Sequence, residues 1–205
     1  MLNTKILSNP YANIGKLHNT GLEYVLGSLS DNPTIKEIID LSSQYLQTLS
    51  YENSKINGDD YYVIIAETMN RLEIVPFEDF LISLVGMKLI TYEGIEFIKE
   101  IDAIKEDSED IYGQIVLIEN KIYVSGMSIE EQRFPLLFAA VAKSSSQYMP
   151  PNRFISKFHW PWKADAHGAI AGAVGGATAG TFIGGLLGAL AGGIGESLAV
   201  AILGD

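Results

Sequence analysis

Apolar positions recur every three or four residues along most of the chain, the period of amphipathic helices rather than the alternation of strands. The first stripe runs through Ile14, Leu17, Gly21, Leu22, Val25 and Leu29. It is entered at Asn9-Pro10, with Asn as N-cap and Pro at the first helical position. Asp31-Asn32-Pro33 opens a second helix through Ile35, Ile38, Ile39, Tyr45, Leu46 and Leu49. Asn57-Gly58-Asp59-Asp60 reads as a turn before a third helix from Tyr61 to about Leu72. Pro76 starts a fourth helix toward Ile90, and Thr91 caps a fifth through Lys105. The acidic cluster Glu106 to Asp110 reads as the charged start of the next helix, where carboxylates meet the positive end of the dipole. Ile111 to Val124 is rich in Ile and Val and admits a hairpin turning at Glu119-Asn120. Ile111, Ile115, Ile118 and Ile122 nevertheless share one helical face, and helix is favoured. Ser128-Ile129-Glu130-Glu131 has the form of a capping box for a last, Ala-rich helix to about Tyr148, perturbed at Pro135. The expectation is an all-α fold, with a domain of six or seven helices over 1–150.

The pattern changes after Lys163. Gly168 to Gly195 contains no charged residue, and glycine stands at every fourth position: Gly168, Gly172, Gly176, Gly180, Gly184, Gly188 and Gly192. A second row of small residues lies beside it, at Ala169, Ala173, Ala177, Thr181, Gly185, Ala189 and Gly193. Each glycine costs a water-exposed helix roughly 0.8–1 kcal/mol relative to alanine. In lipid or against another helix, the bare flank instead permits close backbone approach. This predicts a glycine zipper for membrane insertion or assembly over 164–205. A step of four advances the row by about 40° per repeat, so one straight partner cannot follow all of it. Either copies from several chains surround one another, or the segment folds back as a hairpin near Gly184-Gly185. As a single helix the uncharged run is about 42 Å long, enough to span a bilayer with tilt.

The flank adds an interface signal. Residues 151–163 hold both tryptophans, Trp160 and Trp162, interspersed with Lys157 and Lys163, the residue types that anchor segments at the headgroup level. These four are the expected interface anchors. No cation follows Lys163, so positive-inside bias would leave the N-terminal region cytoplasmic. Packing of this aromatic segment on the helical domain is the alternative.

Composition removes several functions. The chain of 205 residues carries a formal net charge of −11 and no Lys/Arg-rich run, which argues against nucleic acid as a partner. Without cysteine there is neither a disulfide nor a thiolate metal site. Met1 to Asn9 has no apolar h-region, so synthesis in the cytoplasm without a Sec signal is expected, followed by membrane association or export by another route. No nucleotide, cofactor or nucleophile-elbow motif appears.

Two constellations remain as candidate chemistry. Tyr11, His18 and Asn19 form a helical Tyr/His/Asn group that can take a small ligand or move a proton, or simply fix the helix start. Glu93, Glu96, Glu100 and Asp102 bring carboxylates to helical spacing, more in keeping with a solvated face than with a metal site. The histidines His18, His159 and His167 lack two-ligand spacing, so no metal is expected.

Asn9-Pro10-Tyr11 with Gly15 and His18-Asn19, an Ala-rich last helix and a glycine-zipper tail resemble a group of uncharacterised bacterial helical proteins. The tail alone is similar to the glycine-zipper segments of membrane-acting bacteriocins. That resemblance implies a membrane-associating, pore-forming or bacteriocin-like protein whose tail inserts or homo-oligomerises. Two other readings stand beside it: a soluble module whose tail packs on a protein partner, and a small-molecule enzyme or binder using Tyr11, His18 and Asn19.

Overall fold

The computed structural model describes residues 8–49, 58–150, 160–178 and 182–203. Among these residues every regular element is helical. The helices are α1 Ala12–Ser28, α2 Ile35–Thr48, α3 Gly58–Ile74, α4 Phe77–Gly86, α5 Tyr92–Asp102, α6 Ile111–Val124, α7 Arg133–Ser145, α8 Trp162–Thr178 and α9 Phe182–Leu198. A turn of π-helix, Ala199–Leu203, follows α9. Seven helices thus precede a helical hairpin, the all-α arrangement expected from the periodicity.

Local chemistry accounts for most boundaries. Thr34 and Thr91 accept from the amides of Glu37 and Gly94 and so cap α2 and α5. Asp110 does the same for α6 through Gly113, so the ambiguous Ile111–Val124 stretch is helix. α4 stops at Gly86, short of Ile90. The amide of Leu89 reaches back to the Leu84 carbonyl and that of Lys88 to Val85, closing a Schellman motif with Lys88 at φ 60°. Gly58 to Asp60, read as a turn, begin α3 instead. The Ser128/Glu131 box does form, each side chain accepting from the other's amide, but it closes a turn. α7 begins later, at Arg133, so Pro135 lies in its first turn and needs no interior hydrogen bond.

The glycine row organises the interior. A Cβ built on Gly172 would lie 2.8 Å from the carbonyl carbon of Gly188 and closer still to its oxygen, and the reverse holds for Gly188 against Gly172. Gly168 and Gly192 face one another in the same way. A glycine hydrogen stands where a side chain would begin and points at the facing carbonyl, the arrangement of weak Cα–H···O contacts between helices. Gly176 closes on Gly188 from the next turn, with its amide nitrogen 3.0 Å from a Cβ built there. The row therefore meets itself within one chain. Both facing pairs are centred on sequence position 180, so the fold lies a few residues before Gly184-Gly185. Gly180 is outside the described residues, and Gly184 lies in α9.

The hairpin is the middle of the molecule, with other helices around it. α8 divides two hydrophobic clusters. Trp162, Ala166, Ile170 and Val174, each four apart, enter a cluster built with α4, α5, α6 and α7. Ala169 and Ala173 enter a second cluster, which joins Leu187, Leu190, Ile194 and Leu198 of α9 to α1, α2, α3 and α7. Residues on both sides of 151–159 thus share each core. Gly15 and Gly21 let α1 approach closely. A Cβ on Gly15 would meet the Ala140 backbone and Ser144, and one on Gly21 would meet Ile194 and Tyr45.

Candidate functional site

The hairpin begins at a buried polar cluster. α1 carries His18 and α8 carries Asp165, both without solvent exposure, and His18 Nε2 lies 3.3 Å from Asp165 Oδ1. Those two atoms touch without reaching hydrogen-bond alignment. The other carboxylate oxygen accepts from Trp160 Nε1 at 2.7 Å and from the Ser145 hydroxyl. His18 Nδ1 lies 3.2 Å from Asn19 Oδ1, and Asn19 Nδ2 donates to the Ser144 carbonyl at 2.9 Å. Gly193 of α9 leaves the room that the imidazole occupies, since a Cβ there would fall 2.9 Å from His18 Cδ2. One imidazole therefore meets α8, α9 and the α7 end through its own contacts and those of Asn19.

Burial alone would strip a proton from His18. The Asp165 carboxylate, helped by Asn19 and the Gly193 backbone, outweighs burial and holds the histidine pKa above its ordinary value. Burial also raises the Asp165 pKa, against the opposing effect of His18 and Trp160. Both shifts favour the protonated forms. A group whose folded pKa is raised contributes stability that is full below its unfolded pKa, about 6.5 for histidine, and is lost as pH rises through the folded value. Stability is accordingly expected to fall on the alkaline side, as the proton leaves and an uncompensated carboxylate stays buried. His18→Leu should cost about 3–5 kcal/mol at neutral pH, and His18→Leu/Asp165→Leu should recover most of that and flatten the alkaline decline. Denaturant unfolding at pH 6 and pH 9 measures both effects. A His18→Leu protein within 1 kcal/mol of wild type, or a flat wild-type profile, would show that the pair is not a clamp.

A second histidine pair flanks the first. His167 Nε2 lies 2.8 Å from Asp102 Oδ1 at the end of α5, and its ring stacks on Phe77 with centroids 3.7 Å apart. Burial raises the Asp102 pKa, but the His167 contacts and Lys163 prevail and lower it. That contribution is kept until pH falls through the depressed pKa of Asp102, well into acid. The first turns of α8 are thus held on one side to α1 and on the other to α5.

Asn9 anchors the start of α1 in a third network. Its amide donates to Glu119 Oε1 at 2.6 Å and to the Leu136 carbonyl at 2.7 Å, while its oxygen accepts from the Tyr11 amide. Lys143 neutralises the buried Glu119. Asn9, Gly15, His18 and Asn19 therefore all dock α1, which gives the N-terminal motif a structural meaning. Tyr11 behaves differently. It lines a cavity of about 810 Å³ together with residues of α4, α7 and both hairpin arms. Tyr11, His18 and Asn19 are not brought into one site.

No family model matches the chain, and neither a characterised protein nor a solved structure matches it.

The expected interface anchors are placed elsewhere. Trp162 is 2% exposed inside the cluster built with α4, α5, α6 and α7, and Trp160 stacks edge-on against Tyr148 while serving Asp165. Indole rings bury their area wherever the fold offers a wall, and here α7 and α8 supply one. Lys163 lies over the Trp162 ring at 5.6 Å, and Lys157 falls outside the described residues. Of the acidic run, Asp102 pairs with His167 and Glu100 with Lys121, while Glu93 and Glu96 face solvent. Among the described residues no three His, Asp or Glu side chains converge as metal ligands. Asp165 was the residue missed. Its signal was isolation: no other charge lies between Lys163 and Glu196.

Proposed function

We propose that this is the water-soluble form of a membrane-associating protein, with the α8–α9 hairpin as the inserting unit. The observation that carries the reading is the hairpin's position. The apolar α8–α9 pair lies inside the fold, α8 between the two cores and α9 within one of them, and is covered by amphipathic helices rather than appended to them. Residues Gly185–Ile202 are long and apolar enough to cross a membrane, and two thirds of that window is buried within the protein. The glycine row gives this pair a property that an ordinary core helix lacks. Its arms are joined by backbone contact, which needs no hydrophobic driving force and so persists in lipid. The hairpin can leave its covering helices as one preassembled piece. Its apolar outer face would then exchange protein neighbours for acyl chains. Homo-oligomerisation or pore formation would follow that release, since the glycine row is already occupied in the closed form.

A tether tests this. A Cβ on Gly175 would stand 3.6 Å from Ile64 Cγ2, so α8 and α3 are in side-chain contact there, and cysteines at both positions put two thiols side by side for oxidation to a disulfide. With no native cysteine the pairing is unambiguous. Wild type and the reduced Ile64→Cys/Gly175→Cys protein should float with phosphatidylglycerol-containing liposomes and release an entrapped dye, whereas the oxidised protein should do neither. Equal leakage by the oxidised form would refute release of the hairpin. Indifference of wild type to vesicles would leave the hairpin as the core of a soluble interaction module.

A further inference from the structure

The cavity at Tyr11 takes no part in the clamps or in the proposed insertion. It opens at the seam of the two hydrophobic clusters, since Tyr11 and Phe134 contact both. Its walls are Val85 and Leu89 near the end of α4, Phe134 and Leu137 of α7, and Ala173 and Leu186 from the two hairpin arms. A volume of about 810 Å³ falls within the range of small-ligand sites, about 300–1,000 Å³. The lining is mostly apolar, with a smaller set of polar groups beside it.

The cavity has one cation with no ion-pair partner among the described residues. Arg133 and Lys88 line it together with Tyr11, Glu130 and Glu131. Both carboxylates are already engaged: Glu131 accepts from the Ser128 amide at 2.7 Å, and Glu130 lies 3.5 Å from Arg133. Arg133 acts on the Tyr11 hydroxyl by charge and by hydrogen bond, which places these two groups together. Lys88 makes no ion pair among the described residues, and it is the one non-glycine residue among them with positive φ. The Schellman position it occupies is the usual place for glycine. A side chain kept at the cost of backbone strain, beside an apolar cavity, points to a role for its charge.

We propose that this cavity binds a single-chain amphiphile with an anionic head, of the class of a free long-chain carboxylate. The alkyl chain lies between Leu89, Phe134 and Leu186, and the carboxylate meets Lys88, Arg133 and the Tyr11 hydroxyl. A bilayer phospholipid is not the occupant, because one cavity offers walls for one chain. The ligand would touch the hairpin on one side and α4 and α7 on the other, so binding stabilises the closed protein by mass action. No part of this depends on the hairpin entering a membrane.

The test uses the full chain without vesicles and laurate below its micellar concentration. Laurate should bind in calorimetry and raise the melting midpoint, and dodecyltrimethylammonium, with the same chain and opposite charge, should bind at least about tenfold more weakly. Val85→Trp and Leu186→Trp each fill the cavity from a half-buried position and should abolish binding, with circular dichroism confirming the fold; either suffices if the other does not fold. Lys88→Gly should raise the melting midpoint of the free protein while weakening laurate by about fivefold. Absence of laurate binding, equal binding of the two amphiphiles, or unchanged binding in a folded cavity-filled variant would each overturn the proposal.

Discussion

One added methyl group at Gly172 is expected to destabilise the protein by about 1–3 kcal/mol or more, while the same change at Gly27 is expected to stabilise it by about 0.5–1 kcal/mol. Both glycines lie inside helices, so propensity alone favours alanine at each. Surroundings reverse the sign at the first. A Cβ at Gly172 would run into the Gly188 carbonyl and also stand 3.0 Å from the Gly192 Cα, so backbone rather than a flexible side chain would have to yield. Separating the helices loosens Gly168 against Gly192 as well, because the facing pairs share one register. At Gly27 nothing lies within 4 Å of the added atom. Denaturant midpoints of the two variants decide the matter: if Gly172→Ala is no less stable than wild type, close backbone contact does not hold the hairpin together.

The second large effect is expected from truncation after Tyr148. The helical periodicity and the Met149-Pro150-Pro151 break suggest that 1–150 could stand alone. The packing argues otherwise. Leu22, Val25, Leu26, Ile38 and Leu46 share a cluster with Leu187, Leu190, Ile194 and Leu198, while Phe138 and Ile98 share theirs with Trp162 and Ile170. Removing the hairpin uncovers both clusters, each large apolar side chain losing about 1.5–3 kcal/mol of burial, against a total stability of only about 5–15 kcal/mol for a domain. His18 would also lose Asp165. The fragment should retain helical circular dichroism, lose cooperative unfolding and bind a hydrophobic dye. A cooperative transition with the midpoint of the full chain would show the first seven helices to be self-sufficient.

Fold class was legible in the sequence because helix period and caps are local. Thr91, Asp110 and the isoleucine stripe of Ile115, Ile118 and Ile122 each state their role within four residues. The glycine row was legible as a packing surface for the same reason. Its partner was not: the period says that something approaches closely, while the choice between another copy and the chain's own return is decided by tertiary packing, where Gly172 meets Gly188 and Gly168 meets Gly192. The polar sites show the same division. His18 and Asn19 stood out in α1, yet the groups that give them meaning, Asp165 and Ser144, lie more than a hundred positions away. Trp160 and Trp162 have a composition that suits a headgroup layer and a protein wall equally, and only tertiary packing distinguishes the two. Lys88 gave no sequence signal, since its conformation is set by amides reaching back to Leu84 and Val85.

The docking of α1 against α9 also bears on how the chain reaches this state. Gly21 makes room for Ile194, about 170 positions later, and Asn9 is satisfied by Glu119 and Leu136. Helical proteins usually fold quickly because their contacts are local, but here the first helix cannot complete its core until the hairpin exists. During synthesis, at about 5–20 residues per second, α1 through α7 would spend seconds with a vacant apolar trough at their centre. A nascent chain in that condition is a natural client for a chaperone until the hairpin emerges and closes the trough. Translation rate and chaperone supply would then govern how much of the chain closes its core, a form of control exercised before the native state is ever formed.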